Sequence, residues 1–180
     1  LGLTVVEIRG RDRVESVVVA RVDDSFVPVG GTESVIPCDT LLLSVGLIPE
    51  NELAKRAGVE LSPLTGGAFV DERLMTSVPG VFSCGNVLHI HDVADWASFE
   101  GLAVGEQAAR YAAGERPAGE RVRVTAGTNV KYALPQLVTA GTAGVEWSFR
   151  VTRPVRNVQV EIKGRTSGQV YARKKFGRVL

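Results

Sequence analysis

Hydrophobic and polar positions along this chain follow two rhythms. A period close to two dominates, and one stretch has a helical period. "LTVVEIRG" (3–10) and "RVESVVVARV" (13–22) are rich in valine and isoleucine. With the turn-forming "GRDR" between them, they predict two strands. "DDSFVPVGGTES" (23–34) is polar and contains glycine, so it predicts a loop or hairpin tip. "SVIPCDTLLLSVG" (34–46) alternates and then runs unbroken from Leu41 to Leu43, the pattern of a strand covered on both faces. "ENELAKRAG" (50–58) predicts one or two helical turns closed by Gly58. "GAFVDERLMTSVPG" (67–80) predicts a short strand and an exposed turn at Pro79-Gly80, and "VFSC" (81–84) a further buried strand. From Ala94 to Ala113 the period becomes helical, with Trp96, Phe99, Leu102 and Ala103 on one face as core residues and Gly114 as the stop. After the linker-like "GERPAGER" (114–121) come short alternating runs: "RVRVT", "VEWSFRV", "VRNVQVEIK" and "QVYARKKF". These predict a small antiparallel β-domain.

The fold class expected is α+β, mostly β. Sheet strands and one long helix occupy residues 1–114, and a small β-rich C-terminal domain occupies 120–180. Hydrophobic residues at 44% and charged residues at 23% are enough for a packed core and argue against disorder. Twenty-one basic against 20 acidic residues leave a net charge of +1, which gives no reason to expect a nucleic-acid partner or an anionic membrane. The basic tail (Arg173, Lys174, Lys175, Arg178) reads as a solvated edge strand protected from aggregation by its charges. No run of 18 apolar residues and no signal peptide are present, so no membrane insertion is expected. Cys38 and Cys84 are not spaced as C-x-x-C. They read as buried free thiols in a reducing, cytoplasmic setting. A chain opening on Leu1 rather than Met reads as a piece of a longer polypeptide.

Two peptides carry the chemical signal: "CDTLLLSVGLIPEN" (38–51) and "TSVPGVFSCGN" (76–86). Each delivers a predicted buried strand to a glycine, and ligands of α/β sheets sit at such carboxyl ends. The glycine lets backbone approach a flat or phosphorylated ligand closely. The helix that follows offers unpaired N–H groups at its start. Next to the second glycine, His89 and His91 share a face of an extended chain, with Asp92 adjacent. A metal site, an acid–base pair and simple packing are all open to them. A third and fourth metal ligand are not evident, so no metal is expected. His91 is the candidate for acid–base work.

These peptides resemble motifs of the two-dinucleotide-domain flavoprotein reductases, the thioredoxin reductase and glutathione reductase group. "TSVPGVFSCGN" is similar to the second flavin-binding motif of that group, "LLLSVGLIPEN" to its Ala-Thr-Gly and Pro-Asn segment, and "ASFEGLAVGEQAARYAAG" to its last flavin-facing helix. The likeness is nearest to reductase-like proteins that accompany anaerobic glycerol-3-phosphate dehydrogenase. It implies a partial FAD/NAD(P)-binding domain followed by the β-domain. It also implies FAD as cofactor and NAD(P)H as co-substrate, the latter at a site outside these residues. By the same resemblance, Asn86 stands where an aspartate binds the flavin ribitol, and Cys84 and Gly85 lie beside it. Gly46 and Pro49 line the adenine–ribose side. The backbone of Glu100 and Gly101, taken as the helix start, faces the flavin pyrimidine edge. Ser44-Val45-Gly46 and Asn86 depart from the family pattern of Ala-Thr-Gly and Asp.

A complete member would carry G-x-G-x-x-G loops for the flavin and nicotinamide pyrophosphates and a redox-active C-x-x-C. None occurs in these 180 residues. The expectation is therefore the C-terminal portion of a flavoprotein oxidoreductase, inactive by itself, whose parent passes electrons from NAD(P)H through FAD to an acceptor. Self-association through an exposed sheet edge is expected. The alternative is a non-catalytic module in which the β-domain docks a partner dehydrogenase subunit.

Overall fold

The computed structural model describes residues 2–44, 46–116 and 118–179. Contacts divide the chain into two compact units, Leu1–Gly46 and Leu47–Leu180. The architecture is α+β and mostly β, with one long helix and small antiparallel sheets.

The first unit is an antiparallel three-stranded sheet: β1 (Leu3–Arg9), β2 (Ser16–Arg21) and β3 (Ser34–Pro37), in that order. The central strand carries the unit's apolar density, and Val17, Val18, Val19 and Ala20 are all buried. The predicted turn between β1 and β2 depends on Gly10. Its φ is +145°, and a Cβ there would fall 1.8 Å from the Arg13 carbonyl oxygen, so no other residue fits. The predicted loop at 23–33 is held by an Asx turn, in which Asp23 Oδ1 accepts hydrogen bonds from the N–H groups of Ser25 and Val27. The apolar run Leu41–Leu43 departs from expectation. It is not a covered strand, and Leu42 and Leu43 are 90% and 67% exposed. A strand needs a hydrogen-bonding neighbour at its edge, and coverage on both faces needs a packed layer above and below. The ladder with β2 ends at Pro37, and no described strand lies beyond it.

The second unit opens with α1 (Glu52–Arg56), whose chain reversal at Gly58 uses a φ of +76°. After a long irregular segment comes α2 (Ala94–Ala112) and then six strands. These are β4 (Arg121–Arg123), β5 (Val130–Leu134), β6 (Leu137–Thr139), β7 (Ser148–Val151), β8 (Val155–Lys163) and β9 (Val170–Val179). They pair antiparallel as β4–β6, β5–β7 and β8–β9. Strands β5 and β6 go beyond the predicted set, because Pro135 between them interrupts the alternation. "VFSC" is not a strand either. A single bridge joins Met75 to Phe82, and the Thr76 and Val81 N–H groups bond to the Val81 and Val78 carbonyls around Pro79-Gly80. The chain is thus a tight reversal that leads straight into Gly85.

The core of this unit joins residues far apart in sequence: Val59, Ala68, Val70, Leu88, Tyr132 and Leu134. Residue 70 is fastened to the β5–β6 connection on both backbone groups. Its N–H donates to Gln136 Oε1 at 3.0 Å, and its carbonyl accepts from the Gln136 and Leu137 N–H groups. The segments on either side of 114–121 therefore share one core. In α2 the predicted core face points the other way. Trp96, Phe99 and Leu102 are 60%, 60% and 73% exposed, and the two aromatic rings stack edge-to-face on each other. The shielded face runs through Ala97, Glu100, Val104, Ala108 and Tyr111. Tyr111 packs on Phe82 and over Gly80, which fixes the helix's rotation at its C-terminal end. No described helix is long and apolar enough to cross a membrane.

Candidate functional site

The site is built on the 85–92 segment. Gly85 adopts φ +70° and starts a single 3-10 turn, Gly85–Val87, with the Leu88 and His89 N–H groups donating to its carbonyl. Three supports hold the turn. Leu88 is fully buried in the core. Gly67 lies directly beneath it, where a Cβ would fall 1.8 Å from the Leu88 carbonyl oxygen. Buried Asn51 donates both amide hydrogens, to the Gly66 and Val87 carbonyls at 2.9 and 2.8 Å. Pro49, two residues earlier, packs at 3.9 Å from the Cβ position of Gly66. The "PEN" peptide is thereby seated against the second glycine motif.

Beyond Leu88 the chain extends, and its period of two puts His89 and His91 side by side with ring centroids 4.2 Å apart. Both Nε2 atoms face one carboxylate. His89 Nε2 is 3.3 Å from Glu100 Oε1, and His91 Nε2 is 3.1 Å from Glu100 Oε2. The Gly85 N–H donates to the same carboxylate at 2.5 Å. The far side of the pair is held by strands that follow the linker. Tyr132 of β5 meets His89 Nδ1 through its hydroxyl at 3.4 Å. Arg150 of β7 donates to Asp92 at 2.9 Å and to the Ile90 carbonyl. Asn86 Oδ1 accepts from the His91 N–H at 3.0 Å. Its side-chain NH₂ has no partner among the described residues and is exposed.

Burial by itself would raise the Glu100 carboxyl. The hydrogen bonds from His89, the Gly85 N–H and His91 outweigh it, and the group lies below the usual glutamate range. The same charge, added to burial, pushes the Cys84 thiol up. That places Cys84 in the class of packing cysteines, not activated thiolates.

Gly85, Asn86, Cys84, Glu100 and His91 are brought together here, with Pro49 nearby, whereas Gly101 follows Glu100 on α2 with open space around its Cβ position. Gly46 belongs to the first unit, where it is exposed with φ +96°. Val45, its neighbour in the Ser44-Val45-Gly46 motif, lies outside the described residues. The reading of Glu100 and Gly101 as the helix start is corrected. They are the seventh and eighth residues of α2, so their N–H groups lie inside the helical ladder, and only the first turn has unpaired ones. Glu100 acts through its side chain instead. It is also the third donor that the sequence did not mark beside the two histidines. Asp92, adjacent in sequence, turns away to Arg150. Gly67, Tyr132 and Arg150 carried no local signal of their roles, since each of these contacts closes over more than 20 residues, and Asn51 was marked only as the end of the "LLLSVGLIPEN" motif.

Residues 1–113 match the family model described as pyridine nucleotide-disulphide oxidoreductase. A protein named NAD(P)H sulfur oxidoreductase (CoA-dependent), from Pyrococcus furiosus, is 30% identical over 118 residues, 65% of this chain and 24% of that protein. Mitochondrial dihydrolipoyl dehydrogenase of Mesocricetus auratus is 36% identical over 75 residues, 41% of this chain and 15% of its own length. The solved thioredoxin reductase of T. acidophilum superposes with a TM-score of 0.51 at 29% identity, covering 62% of this chain and 35% of that one. The chain thus spans about a quarter of the first of these curated relatives. Its strands and long helix correspond to part of an FAD/NAD(P)-binding fold. With more than half of its length matched, the chain belongs to the pyridine nucleotide-disulphide oxidoreductase family.

Proposed function

We propose that these residues are the C-terminal portion of an FAD-dependent NAD(P)H oxidoreductase, of the type that accompanies anaerobic glycerol-3-phosphate dehydrogenase. The carrying observation is the seating of the Gly85–Asn86 turn against the first two turns of α2. The Cβ position of Gly85 lies 4.0 Å from Ala97 Cβ, and its N–H reaches Glu100. The residues present suit a flavin. At Gly85 backbone can come close to a flat ring. Asn86 holds its carbonyl oxygen on His91 and keeps an exposed NH₂ to donate to a ribitol hydroxyl. Asn51 and Pro49 brace the same turn.

When bound, FAD supplies the hydride and electron chemistry. The protein supplies position and field. Asn86 orients a hydroxyl, and Glu100 fixes the histidines from behind. His91 keeps Nδ1, the ring nitrogen not facing Glu100, for proton exchange. The division into 1–114 and 120–180 belongs to this proposal. So does the expectation that the 180 residues alone hold little flavin and do not turn over, since they contain no glycine-rich pyrophosphate loop.

The test is the visible spectrum of the polypeptide encoded by the complete reading frame, purified without added flavin. A flavin spectrum that bleaches on adding NADH or NADPH is the expected result. A colourless protein that captures a dehydrogenase subunit would replace the proposal with the docking-module reading.

A further inference from the structure

We propose that His89, His91 and Glu100 form a three-ligand site for a single zinc-class divalent cation, with a coordination position left open. The inference is independent of the flavin reading, because it concerns donor atoms already assembled in the chain. The ligand atoms of the three residues lie within 4.8 Å of one another. His89 Nε2 lies 3.3 Å from Glu100 Oε1 and His91 Nε2 lies 3.1 Å from Glu100 Oε2, so each nitrogen has a carboxylate oxygen at a spacing that suits a shared metal. Metal–donor bonds of about 2.0–2.1 Å at a tetrahedral angle put neighbouring donors about 3.3–3.5 Å apart. The side chains are held before any metal arrives, at 9%, 9% and 12% exposure, deep enough to be rigid and still reachable by an ion.

The donor set decides the class of ion. Two imidazoles and one carboxylate suit zinc and its neighbours, whereas magnesium and calcium prefer all-oxygen sites. Three protein ligands with an open fourth position is the arrangement of sites that bind water or an exogenous group. Cys84 is not part of the cluster.

The surroundings fit a ligand shell. Metal-bound histidine normally places its other ring nitrogen on a hydrogen-bonding partner. His89 Nδ1 faces the Tyr132 hydroxyl. That hydroxyl donates or accepts, so it suits the tautomer that frees Nε2 for a metal as well as the one that protonates it. The Gly85 N–H fixes the orientation of the Glu100 carboxylate, and the Asn86 carbonyl oxygen fixes the backbone of His91. Two ligands thus come from the extended segment after the Gly85 turn and the third from α2, with β5 behind them.

The chain has only two histidines, so the site can be read directly. Chelator-treated, tag-free chain is titrated with Zn²⁺ and then with Co²⁺. The expected result is one equivalent bound, with affinity reduced about tenfold or more in His91→Ala and in Glu100→Gln. Binding below one equivalent, or affinity unchanged in the His89→Ala/His91→Ala double variant, overturns the proposal. To guard against variants that fail to fold, the unsubstituted chain is treated with diethyl pyrocarbonate and mapped by mass spectrometry. Saturating Zn²⁺ is expected to protect both histidines, and equal modification with and without Zn²⁺ overturns the site. The readouts involve no flavin. A chain that takes zinc but whose complete parent is colourless sinks only the flavin reading, and a yellow parent whose histidines ignore zinc sinks only this one.

Discussion

Glu100 shows how much one side chain organises here. Its carboxylate is partly buried, costly to ionise, and stabilised by three donors from three different residues. Asn51 does comparable work on the backbone, because its amide is the partner of two carbonyls at the base of the turn. Asn51→Ala leaves both without that donor. We expect a loss of about 1–3 kcal/mol of stability, read as a lower urea midpoint at unchanged slope. Asn86 is the converse case, exposed and with one local bond. In the flavin-loaded complete protein, Asn86→Ala should weaken flavin retention by about 0.5–1.5 kcal/mol, the worth of one hydrogen bond. Unchanged flavin content would remove Asn86 from the site. Gly85 and Asn86 were legible in the sequence because a motif places them. Asn51 was readable only as part of a motif, and Tyr132 not at all, because its contact with His89 closes over 43 residues.

At the scale of elements, α2 was legible in existence and extent but not in rotation. Sequence periodicity chose the Trp96–Phe99–Leu102 stripe. The structure turns the Ala97–Glu100–Tyr111 stripe inward, because a carboxylate with three donors and an aromatic packed on Phe82 hold the helix at both ends. Iodide should therefore quench the fluorescence of the chain strongly, since Trp96 is 60% exposed, and Trp96→Phe should remove most of the quenchable signal. A largely unquenchable Trp96 would mean that this face is covered. Two glycines give a paired test of local geometry. Gly105 on α2 has open space around its Cβ position. Gly105→Ala should stabilise the chain by roughly 0.8–1.0 kcal/mol through helix propensity alone. Gly67→Ala drives a methyl into the Leu88 carbonyl and should cost at least about 1–3 kcal/mol by overpacking. Both are read by denaturant unfolding.

For the whole molecule, buried Asp71 sets a pH dependence. Burial raises its carboxyl above the usual range, against the opposing bonds from the Arg73 and Met75 N–H groups. With the folded value above the unfolded one of about 3.9, the stability linked to this group is fully present below the unfolded value and lost as pH rises through the folded one. Lowering the pH from neutral toward about 4 should therefore add a stabilising increment that Asp71→Asn lacks, since asparagine keeps the acceptor oxygen without the charge. Urea midpoints of both chains across that range check it, and parallel profiles would show that Asp71 titrates normally. The group matters at this scale because it ties the 67–76 segment to β4, with Arg121 3.4 Å away.

By itself the sequence determined the antiparallel β1–β2 hairpin, the extent of α2, the antiparallel character of the C-terminal strands, and the glycine–asparagine turn with its family. These depend on period, turn chemistry and short motifs, all local along the chain. Tertiary structure alone decided which face of α2 is inward, that Leu41–Leu43 and "VFSC" are not ladder strands, and that Glu100 is the third donor beside two histidines. It also decided that β5 and β7 support them. The histidine site depends on partners 9 to 60 residues away. A period or a propensity carries no record of which distant backbone group or carboxylate will fill the vacant side.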